Sequence, residues 1–279
     1  MTLCDVRHEA GPPADELVAK IVSIADQVVP VLESITDLSV GPRPVIRVIT
    51  PDAWVEALAA DNRRSAQRDI DDLDLTPEQV QQRLERARGK EEELRLIWPL
   101  VMGATIEAED GTPEVLLVPE ALRHCGFEEP ELIKVVAHEL NHVAQHRAGD
   151  GAAFLAQRTA FGVLRGLEGV MAAYFLSGHS RWADLIVTTR MIGREVQENT
   201  GRQTETYWQV REQVEQRYRH DRGNLPGPPR AAYVEGSQWV RIVVDEVGTA
   251  VLNRAWKETS LMPTSVELED PHAWIARVA

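Results

Sequence analysis

Residues 138–142 read His-Glu-Leu-Asn-His, and this run predicts more about the chain than any other. On an α-helix, residues four positions apart are rotated by about 40° and lie about 6 Å apart along the axis. His138 and His142 on one helix can therefore bind the same metal ion, with Glu139 projecting beside it. A carboxylate in that position can accept a proton from a metal-activated water. The run predicts a zinc-dependent hydrolase, above all one that cleaves peptide bonds.

The segment around this run has the composition of a buried helix. The dipeptide Glu129-Pro130 is typical of a helix start and Gly149 of a helix end. Because polar side chains in a buried helix need partners, histidines there favour metal binding. An exposed helix with two surface histidines is the alternative. Apolar residues recur through the segment at Leu132, Val135, Val136, Leu140 and Val143.

A third histidine, His146, continues the four-residue spacing but is not predicted to be a ligand. In an unbroken helix it lies about 12 Å along the axis from His138, too far to share an ion bound at about 2 Å. The chain has Ala144 and Ala148 where the metzincin pattern has a glycine and a third histidine, so that class is excluded. His146 is predicted to face solvent or to support a ligand.

A carboxylate further along the chain is predicted to be the third zinc ligand. The residues from about 151 to 176 are predicted to form one helix whose apolar stripe contains Leu164, Met171 and Phe175. Glu168 falls on the same stripe. A carboxylate that faces the core is costly unless it is paired, and coordination to zinc would satisfy it.

Other arrangements of the third ligand stay open. Glu168 can instead form a salt bridge with Arg165 or lie at the rim of a tilted helix. Asp150 follows the motif closely and would be the ligand in an aspzincin-like site. Glu235 is a further candidate, but its helix is predicted to bury neighbouring residues and to leave Glu235 on the flank.

Several stretches carry a family resemblance. The run VVAHELNHVAQ (135–145) and the later GLEG (166–169) together resemble bacterial gluzincin-type metallopeptidases. In that family the glutamate of a Glu-Gly pair on the next helix is the third zinc ligand, which implies this role for Glu168. The stretches 233–240 and 263–267 are similar to a tyrosine-glycine-aromatic helix and a closing loop of the same family.

The resemblance covers roughly residues 130–272 and implies a zincin-like fold that binds Zn²⁺. The chain departs from the family at Val170-Met171, where a small or acidic residue tends to follow the Glu-Gly pair. It departs again at 268–271, where relatives often have a histidine before the proline. These departures leave the predicted ligands unchanged and concern the substrate pocket. The resemblance implies no particular substrate.

Attack of water on a carbonyl creates a negatively charged oxygen, which a second donor beside the metal usually stabilises. Tyr233, at the start of the family-like C-terminal helix, is the first candidate for this donor, and His179 is the second. A tyrosine at a helix start can instead serve packing, and a histidine after Ser177-Gly178 can be a helix cap. The predicted catalytic residues are therefore Glu139, Tyr233 and His179.

Composition excludes several classes of function. The formal net charge of −14 argues against nucleic acid as a partner, because phosphate binding favours a basic surface. The N-terminus lacks the apolar core of a signal peptide, and no apolar run is long enough to span a membrane. Two cysteines give no disulfide framework. We therefore expect a cytoplasmic protein that acts on a peptide or protein substrate, in an oligomeric state that the sequence leaves unknown.

The pattern along the chain predicts an α+β fold that is mostly helical and zincin-like. Residues 1–149 are predicted to form an α/β lobe with a small sheet that ends in the motif helix, and residues 150–279 a helical lobe. A hairpin at 104–118 turns at Asp110-Gly111. In zincin folds an edge strand just before the motif helix pairs with extended substrate, so the resemblance implies this role for the hairpin, above all for its second strand, 114–118. A plain sheet edge is the alternative. Helices are predicted at 13–37, 50–60, 76–95, 129–147, 152–177, 180–198, 203–220, 231–248 and 250–258, with a flexible stretch at 61–75.

Two other functions stay open beside a zinc-dependent peptidase. The first is a zincin-fold binding or regulatory protein that hydrolyses nothing, which would hold metal without turnover. The second is a hydrolase of non-peptide amides, because the chemistry is the same. A helical scaffold without metal is the remaining alternative, and a metal analysis of the purified protein would distinguish it.

Overall fold

The computed structural model describes residues 2–165, 171–196, 200–218 and 230–279. Within these ranges the protein is mostly helical with one small sheet near the N-terminus, which confirms the predicted fold class. The strands are β1 (Asp5–His8), β2 (Val45–Val48), β3 (Ala104–Glu107) and β4 (Pro113–Leu117). The helices are α1 (Asp15–Thr36), α2 (Pro51–Asp72), α3 (Pro77–Ile97), α4 (Pro119–His124), α5 (Glu129–Ala148), α6 (Ala152–Arg158), α7 (Met171–Ile192), α8 (Glu205–Arg217), α9 (Arg230–Leu252), α10 (Arg254–Lys257), α11 (Ser265–Glu269) and α12 (Pro271–Val278).

The sheet has the strand order β1-β2-β4-β3. β1, β2 and β4 are parallel, and β3 pairs antiparallel with β4 through the predicted hairpin. The prediction that the second hairpin strand receives substrate is wrong, because β4 lies between β2 and β3 and its backbone is paired on both sides. The edge strand of this hairpin is β3.

The two faces of the sheet pack against different helices. Val115 and Leu117 of β4 join the main core, which contains α1, α5, α7 and α9. Leu116, between them, faces a smaller core formed with Trp54 of α2. This division follows from the alternation of side chains along a strand. It places α5, which carries the His-Glu-Leu-Asn-His run, directly against one face of the sheet.

The acidic stretch after residue 60 is helical as far as Asp72, so the prediction that 61–75 is flexible is wrong for 61–72. Two acidic side chains of this part of α2, Asp61 and Asp69, are buried in ion pairs rather than solvated. Asp69 is fully buried and accepts hydrogen bonds from Arg83 at 2.8 Å and Arg165 at 3.0 Å. These partners lie far away in sequence, on α3 and after α6.

The predicted single helix at 152–177 is also wrong. α6 ends at Arg158, and a 3₁₀ turn follows at Gly162–Arg165, in which Leu164 is largely exposed rather than part of a buried stripe. α7 then runs without a break through Ser177-Gly178-His179, where a helix boundary was predicted. Gly178 is needed inside α7 because a Cβ there would overlap the backbone of Gly236 on α9.

No helix in the described part of the chain is both long enough and apolar enough to cross a membrane.

Candidate metal centre

The motif helix is well defined by its own sequence. α5 begins with a capping box, in which the Glu131 side chain accepts a hydrogen bond from the backbone N–H of Glu128 at 3.0 Å. The helix is unbroken from Glu129 to Ala148, as predicted, so residues 138 and 142 lie on one face. Their ring centroids are 5.0 Å apart, with the ring planes at 82°.

His138 is oriented by a buried carboxylate from α7. Its Nδ1 lies 2.9 Å from Oδ2 of Asp184, whose side chain is fully buried. Because a carboxylate accepts the Nδ1–H, the ring is held in the tautomer that leaves a lone pair on Nε2. Histidines that bind a metal usually donate their other ring N–H to such a carboxylate.

His142 is oriented in the same way by an amide. Its Nδ1 lies 2.7 Å from Oε1 of Gln145. The Gln145 amide cannot be turned the other way without losing its hydrogen bond, because its Nε2 donates to the carbonyl of Leu176 at 3.1 Å. Oε1 therefore accepts the Nδ1–H of His142, and Nε2 of His142 keeps its lone pair. The side chains on α5 and the backbone of α7 together set this tautomer.

The side chain of Glu139 extends from α5 toward the edge strand β3. Its side chain is 7% exposed, and the Thr105 hydroxyl donates to its Oε2 at 2.7 Å. Burial raises the pKa of the Glu139 carboxyl, which outweighs the opposing effects of His138 and the Thr105 hydrogen bond. Gly103 makes room for this side chain, because a Cβ at that position would lie 2.8 Å from Cγ of Glu139.

His146 is buried rather than solvent-facing, so the first of its two predicted positions is wrong. It is 5% exposed, and its Nε2 lies 2.9 Å from Oε2 of Glu107 on β3. Burial opposes the ionised form of Glu107, but hydrogen bonds from His146 and Arg68 prevail and lower the pKa of this carboxyl to about 2. His146 thus attaches the C-terminal end of α5 to the sheet.

The two candidates for the oxyanion donor have different surroundings. The Tyr233 ring, on α9, is partly buried with its centroid 5.9 Å from that of His138. His179 has no exposed surface; its Nδ1 accepts hydrogen bonds from Asn141 and Gln145, both at 3.0 Å. The structure therefore brings Tyr233 to the motif histidines. His179 instead contacts Asn141 and Gln145, and of these Gln145 is the side chain that orients His142.

Glu168, the predicted third ligand, lies outside the described residues. Within the described ranges, no three His, Cys, Asp or Glu side chains are grouped to hold a metal ion. Asp150 and Glu235 are both exposed. Arg165, the alternative salt-bridge partner of Glu168, is instead paired with Asp69 and Asp72 of α2.

The donors that are described fit a zinc ion. Two imidazoles bound through Nε2 at about 2.0–2.1 Å to one tetrahedral ion have ring centroids about 5 Å apart. His138 and His142 have that separation, and no hydrogen bond from the described residues reaches either Nε2. Burial, followed by the charge of His138, lowers the pKa of His142 to about 3. The ring is thus neutral near pH 7, as a metal ligand must be.

A stability test follows from the buried histidines. Burial also lowers the pKa of His179 to about 3. Between pH 6.5 and 3 the unfolded chain binds protons that the folded, metal-free protein does not, so stability falls as the pH is lowered. The slope approaches about 1.4 kcal/mol per pH unit for each histidine. Burial raises the pKa of the Glu139 and Asp61 carboxyls, which acts in the opposite direction, so the test compares a variant with the wild-type protein. Urea unfolding in EDTA at pH 7.5, 6 and 5 should show a smaller loss of stability at low pH for His179→Gln than for the wild-type protein. An equal loss in the two proteins would contradict the burial of the His179 ring.

The orienting residues Asp184 and Gln145 were missed at the level of sequence. Gln145 had a signal, since it lies three positions after His142 on the same helix and can reach its ring. Asp184 had none, because it is 46 residues from His138 and meets it only through the packing of α7 on α5. Asn141, for which the motif predicts no role, donates to His179 and to Ser180.

Comparisons with known proteins give two similarities. The model of a family described as zincin-like metallopeptidase matches residues 229–275, a segment that contains Tyr233 but not the 138–142 run. A structure from Chloroflexus aurantiacus, described as a proposed hydrolase with a novel fold, is 15% identical with a TM-score of 0.56. The similarity covers 96% of this chain and 91% of that one, and at this identity it shows the fold alone. No curated protein matches the chain.

Proposed function

We propose that the protein is a zinc-dependent metallopeptidase of the gluzincin type, in which His138, His142 and Glu168 hold the ion. When bound, zinc supplies a Lewis acid that polarises a carbonyl and lowers the pKa of water. The observation that carries the proposal is the pair of Nδ1 hydrogen bonds to Asp184 and Gln145. These bonds leave both Nε2 lone pairs available on one side of α5.

Glu139 is the general base of this proposal. Its Oε2 accepts the Thr105 hydroxyl, which leaves Oε1 to take a proton from the attacking water. The same proton is then delivered to the leaving amine as the carbon–nitrogen bond breaks. A carboxyl whose pKa is raised by burial suits both steps, because it binds a proton more readily than a solvated carboxylate and can still release it.

Tyr233 is proposed to stabilise the oxyanion. Its phenol is a hydrogen-bond donor, and its ring lies beside His138 rather than in the core of the helical lobe. The family match over residues 229–275 includes this tyrosine, which supports a role in the same chemistry. His179 stays a weaker proposal for this role, because it is fully buried against Asn141 and Gln145.

The choice of Glu168 rests on the Glu-Gly resemblance and on sequence position. Glu168 precedes the first residue of α7 by three positions, and α7 supplies both Asp184 and Ser180 around the motif histidines. Because Arg165 is already paired with α2, a salt bridge between Arg165 and Glu168 is disfavoured. A carboxylate with two histidines is the ligand set of the gluzincin class and leaves one position open for water.

The proposed substrate is a peptide or protein, and the proposed location is the cytoplasm. The net charge of −14 continues to disfavour nucleic acid. An inactive zincin-fold binding protein would keep the same ligands, so turnover has to be measured separately from metal content.

The proposal predicts about one zinc ion per chain and zinc-dependent peptide cleavage. Metal content is measured by elemental analysis of freshly purified protein, and cleavage by mass spectrometry of a digested peptide library. Removal of zinc with a chelator should abolish cleavage, and added zinc should restore it. Protein with one zinc per chain and no cleavage of any peptide or small amide would indicate the inactive binding protein. Protein that binds no zinc would refute the proposal.

A further inference from the structure

The edge of the sheet beside Glu139 is already occupied by side chains. β3 is the edge strand on the side of Glu139, at the opposite edge of the sheet from β1. The N–H of Ala108 donates to the carbonyl of Thr112 on the β4 side of the hairpin, so the alternate residues Thr105 and Glu107 direct their backbone groups away from β4. Arg158 of α6 donates to the carbonyl of Thr105 at 2.8 Å. Asp61 of α2 accepts the N–H of Glu107 at 3.3 Å, and Arg64 donates to the carbonyl of Glu107.

These side chains form one connected group, which we call the edge cap: Asp61, Arg64 and Arg158. Nη1 of Arg158 lies 2.8 Å from Oδ2 and 2.9 Å from Oδ1 of Asp61. Nη2 of Arg64 lies 3.7 Å from Oδ1 of the same carboxylate. Asp61 is 5% exposed, so its charge is compensated inside the protein rather than by water. Displacing the edge cap would leave a buried carboxylate without its partner, which is costly.

Covering a sheet edge is a common protection against aggregation, and that is the simplest role for such a group. The edge cap also lies beside the proposed catalytic site. It acts on the strand whose Thr105 also holds the catalytic candidate Glu139. An extended peptide that adds to a sheet edge needs the same outward carbonyl and N–H groups that the edge cap uses.

We propose that the edge cap determines substrate class: the site takes short peptides and small amides rather than long extended chains paired along β3. The inference rests on the proposed hydrolase function and narrows its substrate. The carbonyl of Thr105 and both outward groups of Glu107, its N–H and its carbonyl, are already hydrogen-bonded to the edge cap. None of these three groups is available to a substrate backbone. A long chain therefore gains no strand pairing over a short one.

The test measures binding apart from hydrolysis. The probes are a blocked tripeptide and a blocked nonapeptide with the same central residues, titrated calorimetrically into metal-free protein. The wild-type protein should bind the two with Kd values within about threefold. The double variant Asp61→Leu with Arg158→Met removes both members of the buried ion pair and frees the Thr105 carbonyl. It should bind the nonapeptide at least tenfold more tightly than the wild-type protein does.

Arg63→Met is the matched control, because Arg63 is an exposed arginine of α2 that is paired with Glu91 and lies outside the edge cap. It should leave both Kd values unchanged. The proposal is overturned if wild-type protein prefers the nonapeptide tenfold, if the tripeptide does not bind, or if a folded double variant gains nothing. If the double variant does not fold, the comparison of the two Kd values of the wild-type protein still tests the proposal. If the two peptides bind equally but the freshly purified protein contains no zinc and the zinc-treated protein cleaves neither peptide, the edge cap is supported and the hydrolase proposal is refuted.

Discussion

Replacing Glu139 with glutamine is expected to lower kcat for peptide hydrolysis by about 10²–10⁴-fold while the zinc content stays unchanged. Glutamine has the same shape and can still accept the Thr105 hydroxyl, so the contact between α5 and β3 is kept. What it loses is the ability to take a proton from water. Steady-state kinetics on the best library peptide, together with metal analysis, measures the two effects separately.

Glu129→Gln is the control for this substitution, because Glu129 is exposed and lies on the same helix, nine residues before His138. It should leave kcat within about twofold of the wild-type value. Turnover by Glu139→Gln within threefold of wild type would remove Glu139 from the role of base.

Replacing His142 with alanine is expected to weaken zinc binding by more than about 100-fold. Loss of residues that only orient a ligand typically costs about 10–100-fold in metal affinity, and the loss of a ligand itself should cost more. Gln145→Leu, which removes the acceptor of the His142 Nδ1–H, should fall within that smaller range. Competition with a chromophoric chelator gives the dissociation constants directly.

His272→Ala is the control, because His272 is an exposed histidine of α12 that pairs with Glu246. It should bind zinc as the wild-type protein does. If His142→Ala keeps wild-type zinc affinity and a native circular-dichroism spectrum, the ion is held elsewhere and the proposed ligand set is wrong.

Elements with local signals were predicted well. Glu128 caps the start of α5, and Pro130, Glu131 and the apolar spacing lie within it, so the bounds of this helix follow from local sequence. The hairpin turn at Asp110-Gly111 is equally local. The two histidines follow directly, because a continuous helix requires residues 138 and 142 to share a face.

Features that depend on distant partners were not predicted. Asp61 and Asp69 resemble solvated helix-surface residues until Arg158, Arg165 and Arg83 are brought to them, and these ion pairs keep α2 helical to Asp72. Hydrophobic periodicity does not indicate which charged residues will be paired in the folded protein. It therefore predicted a flexible stretch where α2 continues.

The identity of the edge strand was also beyond the sequence. A hairpin pattern at 104–118 gives two strands but not their neighbours. The parallel pairing of β4 with β2 joins residues about 69 positions apart, and it alone makes β3 the edge. The strand order shows that Asp61 and Arg158 occupy the outward edge of β3. The substrate proposal depends on this occupation of the edge.

The central claim is that His138 and His142 present their Nε2 atoms to one zinc ion beside Glu139. Anomalous diffraction at the zinc absorption edge, from crystals of the zinc-loaded protein, tests it most directly. The account predicts one strong peak about 2.0–2.1 Å from both Nε2 atoms. A fully loaded crystal with its only peak elsewhere, and with water or a side chain bonded to both Nε2 atoms, would contradict it.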